Sequence, residues 1–217
     1  MPAIYFDLDG TLIDVRRRHY AAYADTLRAL GREPAAEEQY WARRRRGASS
    51  TDLLDGADEA LRARFLDGWI AHVESPSYLR LDEPVAGAID TLDALAASYA
   101  LVLVTLRRER AALHGQLERL GLGKRFDAVL SPNAVGESKV ELVRGAGTPI
   151  AGSIVVGDSE ADVQAARTLS LTSVCVTAGV RDAAFLRALA PDVLIASVAE
   201  LPAALEAQRL ALALRPS

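Results

Sequence analysis

Short apolar runs alternate with longer stretches of helical periodicity along most of the chain. The runs lack a regular alternation of apolar and polar positions, which favours strands that are covered on both faces of a parallel sheet. The longer stretches repeat apolar residues along one side of a helix, as Ile89, Leu92 and Leu95 do. This order of elements predicts an α/β fold with a doubly wound parallel sheet. The predicted strands are Ala3–Phe6, Ala100–Thr105, Ala128–Ser131, Ser153–Val156, Ser173–Thr177 and Val193–Ile195.

Residues at helix ends mark where several helices begin and stop. Pro84 is placed as a first-turn proline of one helix, and Gly121 as the C-terminal cap of the next. Residues 15–81 hold no convincing strand, so we interpret them as an all-helical insertion between the first and second strands. The helices predicted in the insertion are Arg18–Leu30, Glu37–Arg46 and Ala57–Val73, and those predicted after it are Val85–Ser98, Arg108–Leu120, Ala161–Leu169 and Leu201–Leu214.

Length, composition and charge narrow the classes of function. The chain has 217 residues, half of them hydrophobic, which is enough to bury a core without disulfides or structural zinc. A formal net charge of −4 argues against a general nucleic-acid binder. The chain lacks the run of about 18 apolar residues that predicts a membrane span, and its first residues lack the basic start of a signal peptide. We therefore expect a cytoplasmic protein with no membrane or nucleic-acid partner.

Two acidic clusters each follow a predicted strand. Asp7 and Asp9 come after the first strand, and Asp158 and Asp162 come after the strand that ends at Val156. Doubly wound sheets bind ligands at the carboxyl ends of their strands, although a turn or a helix cap explains each cluster taken singly. Two unit charges about 4 Å apart repel by roughly 4 kcal/mol at an effective dielectric near 20. A divalent cation removes that cost, and Mg²⁺ fits best because it prefers oxygen ligands.

Thr105 and Lys139 are the other polar candidates near this edge of the sheet. Thr105 ends a predicted strand, where its hydroxyl either donates to an anion or is simply part of a β-branched strand end. Lys139 follows a polar loop and is one of two lysines among 25 basic residues. In a chain that otherwise uses arginine, a lysine suggests that a compact ammonium is needed, while the alternative is a solvated helix start.

These residues together resemble the motifs of the haloacid dehalogenase superfamily of phosphotransferases. The motif at Asp7–Thr11, then Thr105, Lys139 and the motif at Gly157–Asp162 occur in the family's order and span nearly the whole chain. The resemblance implies a Rossmann-like core domain, residues 1–14 and 82–217, with a helical cap domain, residues 15–81. It also implies a phosphatase, a phosphoric monoester hydrolase, that acts on a small phosphorylated metabolite.

The resemblance further implies the roles of the acidic residues. Asp7 would attack phosphorus to form an aspartyl-phosphate, and Asp9 would protonate the leaving oxygen and then activate water. Mg²⁺ would be held by Asp7, the backbone carbonyl of Asp9 and Asp158, with Asp162 as a further ligand or its support.

The remaining site residues implied by the resemblance would contact the phosphoryl group or the rest of the substrate. Thr105 and Lys139 would bind phosphoryl oxygens and offset their charge. The full set of candidate phosphate- or substrate-binding residues is Gly10, Thr11, Thr105, Leu106, Lys139, Arg107 and Arg16. Arg16 and Arg107 are included for their position in the sequence, since Arg16 is the arginine nearest to the motif around Asp7 and Arg107 follows Thr105.

Two alternatives to a phosphatase stay open. A phosphosugar mutase of the same superfamily would share every core residue, and a silent binding or regulatory module would keep the fold without turnover. The insertion contains no lysine, which argues against the Schiff-base chemistry of phosphonoacetaldehyde hydrolases. We expect a monomer or a homodimer.

Several residues outside the motifs also have two possible roles. The runs Arg16–Arg18 and Arg43–Arg46 are either solvated helix faces or contacts to an anionic substrate. We expect His19 to be a surface residue of the cap or a helix, Trp69 to pack the insertion helices, and Cys175 to be a small buried residue of a strand.

Overall fold

The six apolar runs of the sequence form one parallel sheet in the computed structural model, which describes residues 1–147 and 152–213. Each strand is predicted to within one residue at either end. The strands are β1 Ala3–Phe6, β4 Ala100–Val104, β5 Ala128–Leu130, β6 Ile154–Gly157, β7 Thr172–Val176 and β8 Val193–Ile195. Their order across the sheet is β5-β4-β1-β6-β7-β8, with parallel neighbours throughout. A separate antiparallel pair consists of β2 Ile13–Asp14 and β3 Glu83–Pro84.

Helices cover both faces of the sheet. They are α1 Arg16–Ala29, α2 Glu37–Arg45, α3 Glu59–Val73, α4 Pro76–Leu79, α5 Ala88–Leu95, α6 Arg110–Arg119, α7 Lys139–Gly145, α8 Glu160–Leu169, α9 Ala183–Ala188 and α10 Leu201–Ala213. The last residue of the predicted helix Leu201–Leu214 lies outside the described residues. Helices α4, α7 and α9 are additions to the sequence-based prediction, and each begins after a polar residue, Ser75, Ser138 or Asp182.

The central strand β1 is buried on both faces because its side chains alternate between two apolar layers. Ile4 and Phe6 belong to the layer that includes Leu92 of α5 and Leu113 of α6. Tyr5 belongs to the opposite layer, together with Ala166 of α8. The doubly wound fold class predicted from the apolar runs is confirmed.

One predicted helix boundary is wrong. The helix expected over Val85–Ser98 begins only at Ala88, because Pro84 pairs with Ile13 in the β2–β3 ladder instead of opening a helix. Gly87, with φ of +78°, provides the turn into α5.

The helical insertion, residues 15–81, contains α1 to α4 and lies between the two strands of the β2–β3 ladder. Aromatic rings hold its helices together. The ring of Tyr23 on α1 lies 4.7 Å from that of Tyr40 on α2 and 6.0 Å from that of Phe65 on α3. Among the described residues, no helix combines the length and the apolar character needed to cross a membrane.

Candidate active site

The site lies where the strand order of the sheet reverses. From β1 the chain continues to β4 and β5 on one side, and later to β6, β7 and β8 on the other. Phe6 pairs with Val156 in the register, so Asp7 and Asp158 leave adjacent strands β1 and β6 at the same edge. A crevice at the carboxyl ends of strands flanking such a reversal is where doubly wound sheets bind ligands.

Three carboxylates meet at this edge, Asp7 and Asp158 from the loops after β1 and β6 and Asp162 from the first turn of α8. Asp7, Asp158 and Asp162 are all buried, and each offers one oxygen within 4.8 Å of the others. The ammonium of Lys139, at the first residue of α7, lies 2.5 Å from Asp7 Oδ1 and 2.6 Å from Asp162 Oδ1. Asp162 is further held by the Ser159 hydroxyl, which donates to its Oδ2 at 2.7 Å.

Three glycines, Gly10, Gly157 and Gly179, make room for the acidic cluster. A Cβ on Gly10, where φ is +86°, would lie 2.1 Å from Asp158 Oδ2. A Cβ on Gly157 would lie 2.0 Å from Asp162 Cγ. The backbone N–H of Val180 donates to Asp158 Oδ2 at 2.5 Å and fixes this carboxylate against the Gly10 turn.

The electrostatics of the cluster favour a bound cation. Burial raises the pKa of Asp7 to about 7, although the charge of Lys139 opposes the shift. Burial and the neighbouring Asp7 also raise the pKa of Asp158 well above its ordinary value. One ammonium cannot neutralise three carboxylates. The oxygen donors and their uncompensated charge therefore fit a hard divalent ion.

The side chain of Asp9 lies in a different network. Arg18 Nη2 donates to Asp9 Oδ1 at 2.6 Å, and Arg107 donates through Nε to Asp9 Oδ2 at 2.8 Å. Burial opposes the charge of Asp9, but Arg107 and Arg18 outweigh it and hold its pKa well below the ordinary range. Both guanidinium groups also contact Asp82, a fully buried carboxylate directly after the insertion.

The other residues predicted to bind phosphate or substrate are divided between two cavities. Thr105 and Leu106 line the same cavity as Asp7, and the Thr11 hydroxyl donates to Asp7 Oδ2 at 3.3 Å. Arg16 instead lines a second cavity with Gly10, and its guanidinium is paired with Asp14 at 2.5 Å. The structure therefore places Arg16 apart from the acidic cluster.

A cavity of about 460 Å³ extends from the acidic cluster to the helical insertion. Its insertion side includes Arg18, His19, Arg44 and Trp69. The two arginine runs contained Arg18 and Arg44 as possible substrate contacts, but the sequence did not single them out within the runs, and it did not place His19 or Trp69 in the site. His19, expected in the cap or on a helix surface, lies in α1 of the insertion and is buried, with only 8% of it exposed. Helical periodicity in α1 could have predicted this burial, because Arg18 and His19 lie one turn before the apolar residues Ala22 and Tyr23, which are buried.

Comparison with known proteins places this fold and site in a class of phosphoryl-transfer hydrolases. A family model described as haloacid dehalogenase-like hydrolase matches residues 4–176. The chain belongs to this family, as the motifs predicted. It is a phosphoric monoester hydrolase of the kind that acts on small phosphate monoesters.

The relatives agree with this assignment. A protein of Agrobacterium fabrum named phosphoglycolate phosphatase is 31% identical over 221 residues, covering 94% of this chain and 92% of that protein. A phosphoglycolate phosphatase of Pseudomonas syringae pv. tomato is 30% identical, covering 81% and 69%. A haloacid dehalogenase-like hydrolase from Streptococcus pneumoniae has the same fold, with a TM-score of 0.81 at 21% identity, covering 94% of this chain and 98% of that one.

Proposed function

We propose that this phosphatase is Mg²⁺-dependent and that Asp7 forms a covalent aspartyl-phosphate with a small phosphorylated metabolite. The observation that carries the proposal is the convergence of Asp7, Asp158 and Asp162 within 4.8 Å at the reversal point of the sheet. Phosphoglycolate is the first substrate to test, because the relatives described above carry its name.

Mg²⁺ would be held by Asp7, Asp158 and the backbone carbonyl of Asp9. Asp162 is engaged by Lys139 and Ser159, so it is better placed to support this set than to bind the ion directly. When bound, Mg²⁺ supplies positive charge that offsets the repulsion between a carboxylate nucleophile and a phosphoryl group.

The chain's own residues divide the reaction into two displacements. A carboxylate oxygen of Asp7 attacks phosphorus, the bond from phosphorus to the leaving oxygen breaks, and that oxygen takes a proton. Water then attacks the phosphoryl group, loses a proton and releases phosphate from Asp7. Lys139 and Thr105 offset the charge on the phosphoryl oxygens in both steps.

Asp9 is the proposed acid and base of these two steps. Arg107 and Arg18 hold its pKa well below the ordinary range, which favours the ionised carboxylate that takes a proton from water in the second step. To deliver a proton in the first step, Asp9 must first lose at least one of its contacts to Arg18 and Arg107. Arg18 belongs to the helical insertion, so a movement of the insertion would remove one of these two contacts.

The division into a core domain, residues 1–14 and 82–217, and a cap domain, residues 15–81, is part of the proposal. It is supported by the cavity that insertion residues and sheet-edge residues line together. A cytoplasmic location and a monomeric or homodimeric state stay predictions from the sequence.

Replacing the nucleophile tests the proposal. Asp7→Asn should lower phosphate release from a panel of small phosphate monoesters by at least roughly 10³-fold, and acid-quenched wild-type protein should carry one phosphoryl group on Asp7. The matched control is Asp67→Asn, an exposed acid of α3. Substantial turnover by Asp7→Asn would contradict the role of Asp7 as nucleophile, and activity of the wild type that a chelator does not change would contradict the Mg²⁺ requirement.

A folded wild type without turnover of any ester would favour a binding module, and isomerised sugar phosphate without net phosphate release would favour a mutase.

A further inference from the structure

Glu74, the C-cap residue of α3, joins the helical insertion to the core at the start of α6. Its Oε2 accepts the backbone N–H of Arg108 at 3.1 Å and that of Glu109 at 3.0 Å. Glu109 is the N-cap residue of α6, and within the described part of the chain its own side chain makes no capping hydrogen bond. The insertion therefore supplies the carboxylate that this helix start lacks, and the positive end of the helix dipole favours that charge.

The two N–H groups belong to the loop that connects β4 to α6 and carries Thr105. Thr105 is the first residue after β4 and lines the cavity with Asp7. Its hydroxyl accepts the N–H of Arg107 at 3.4 Å, and the guanidinium of Arg107 donates to Asp9. Glu74 thus fixes the far end of a loop that contains one of the proposed phosphoryl contacts.

The first turn of α6 also fixes the loop that leads to Lys139. Arg110, the first residue of α6, donates through Nη2 to the backbone carbonyl of Ser131 at 3.0 Å and to Asn133 Oδ1 at 2.6 Å. Glu137 closes the same loop, since it accepts the Asn133 N–H at 2.8 Å. The start of α6 is therefore hydrogen-bonded to both segments that carry the proposed phosphoryl-binding side chains.

The backbone on either side of Glu74 is itself held in place. Arg18 of α1 donates through Nη1 to the backbone carbonyl of Val73 at 2.9 Å. Gln116, further along α6, donates through Nε2 to the backbone carbonyl of Leu79 at 3.0 Å. The Glu74 carboxylate thus reaches α6 from a segment that has its own hydrogen bonds on both sides.

We propose that Glu74 is a positioning residue for phosphoryl transfer, which acts through the start of α6 on Thr105 and on the loop before Lys139. This inference rests on the proposed function and adds a residue of the insertion to it. A displacement of about 1 Å in a group that stabilises a transition state can cost roughly 10²-fold in rate. Because contacts to the phosphoryl oxygens strengthen as charge develops, the loss should fall on kcat more than on KM.

Steady-state kinetics of the Mg²⁺-loaded protein test the proposal, with whichever ester of the panel the wild type hydrolyses fastest. Glu74→Ala should lower kcat roughly tenfold and change KM by less than about threefold. Glu74→Gln keeps an oxygen that accepts the two N–H groups, so its kcat should stay within about threefold of the wild type. Equal losses of kcat in the two variants would overturn the inference.

A purely structural role of Glu74 would lower stability without a specific effect on kcat. Asp58→Ala is the matched control, because the Asp58 carboxylate caps α3 of the same insertion by accepting the Leu61 N–H at 2.8 Å. Each alanine substitution should lower the Tm by about 2–4 °C, but only Glu74→Ala should lower kcat. A similar loss of kcat in Asp58→Ala would overturn the positioning role.

Amide hydrogen exchange separates this inference from the proposed function, because it requires no turnover. In Glu74→Ala, exchange should become roughly tenfold faster at the amides of Arg108 and Glu109 and should also accelerate across residues 131–138. Asp58→Ala should leave the exchange of both segments unchanged, and unchanged exchange across residues 131–138 in Glu74→Ala would refute the link through α6. If the wild type releases phosphate from no ester, the proposed function fails, and the exchange comparison still decides whether Glu74 holds both loops.

Discussion

Replacing Asp158 by Asn should stabilise the metal-free protein above pH 7 and remove its response to Mg²⁺. The substitution deletes one of the three buried charges that lie within 4.8 Å of one another. It preserves the shape of the side chain and an oxygen that accepts the Val180 N–H. The protein would thereby gain stability by losing a group that the proposed reaction requires.

The size of the effect follows from the separation of the charges. Two unit charges 4.8 Å apart, the largest separation within the cluster, repel by roughly 3.5 kcal/mol at an effective dielectric near 20, so the expected gain is of this order. The gain should vanish near pH 5, because Asp7, whose pKa is about 7, is then protonated. The comparison of the two pH values therefore isolates the repulsion from any packing effect of the amide.

The free energy of unfolding of the wild type should fall as the pH rises, whereas the gain from Asp158→Asn should grow. Between about pH 4 and pH 7 Asp7 is protonated in the folded protein and ionised in the unfolded chain, so folding takes up a proton and stability falls as the pH rises. The shift of the Asp7 pKa from 3.8 to about 7 corresponds to a loss of about 4 kcal/mol in the free energy of unfolding, at roughly 1.4 kcal/mol per pKa unit. Asp158, with a raised pKa, contributes in the same direction.

Urea unfolding between pH 5 and pH 8.5 measures both effects, first in chelator and then with Mg²⁺. Mg²⁺ should stabilise the wild type increasingly with pH and leave Asp158→Asn unchanged, since only the folded wild type offers the full site. Asp67→Asn, on the surface of α3, serves as the control and should behave as the wild type. The reasoning would be refuted if Asp158→Asn were less stable than the wild type at pH 8 in chelator.

Two further substitutions probe the packing of the site. Gly10→Ala places a Cβ 2.1 Å from Asp158 Oδ2 at a φ of +86°. Both turnover and the rise in Tm on adding Mg²⁺ should therefore be lost. An unchanged response of the Tm to Mg²⁺ would contradict the close approach of Gly10 to Asp158. Arg18→Met leaves the fully buried Asp82 without its nearest cation and should cost about 3–5 kcal/mol at pH 8 in urea unfolding. The cost should shrink as the pH is lowered, because burial raises the pKa of Asp82 and a protonated Asp82 needs no cation. The exposed Arg17→Met is its control, and an equal loss in both variants would contradict a buried pair.

The sheet and the acidic cluster could be predicted because both depend on residues that are close together in the sequence. Each strand is a short apolar run, and Asp7 and Asp158 directly follow two of them. Parallel strands in one sheet end at one edge, so local order alone brings these acids together. The family motifs then placed Lys139 in the same site, where the structure finds it bonded to Asp7.

The insertion side of the cavity could not be predicted in the same way. Arg18 and Arg44 come from helices whose orientation over the sheet depends on tertiary packing, and neither belongs to a motif of the core. In each arginine run, neighbouring residues point in different directions on a helix, so charge density alone does not tell which one is buried. Arg16 was favoured for its proximity to Asp7 in the sequence, yet it pairs with Asp14.

The small β2–β3 ladder has a consequence for how such proteins diversify. Ile13 lies beside Pro84 and Asp14 beside Glu83, so the chain leaves for the insertion and returns from it at adjacent points. Any segment with closely spaced ends can be spliced between Asp14 and Glu83 without moving the strand that carries Asp7. The same reactive edge can thus be equipped with a new recognition module through one local genetic exchange.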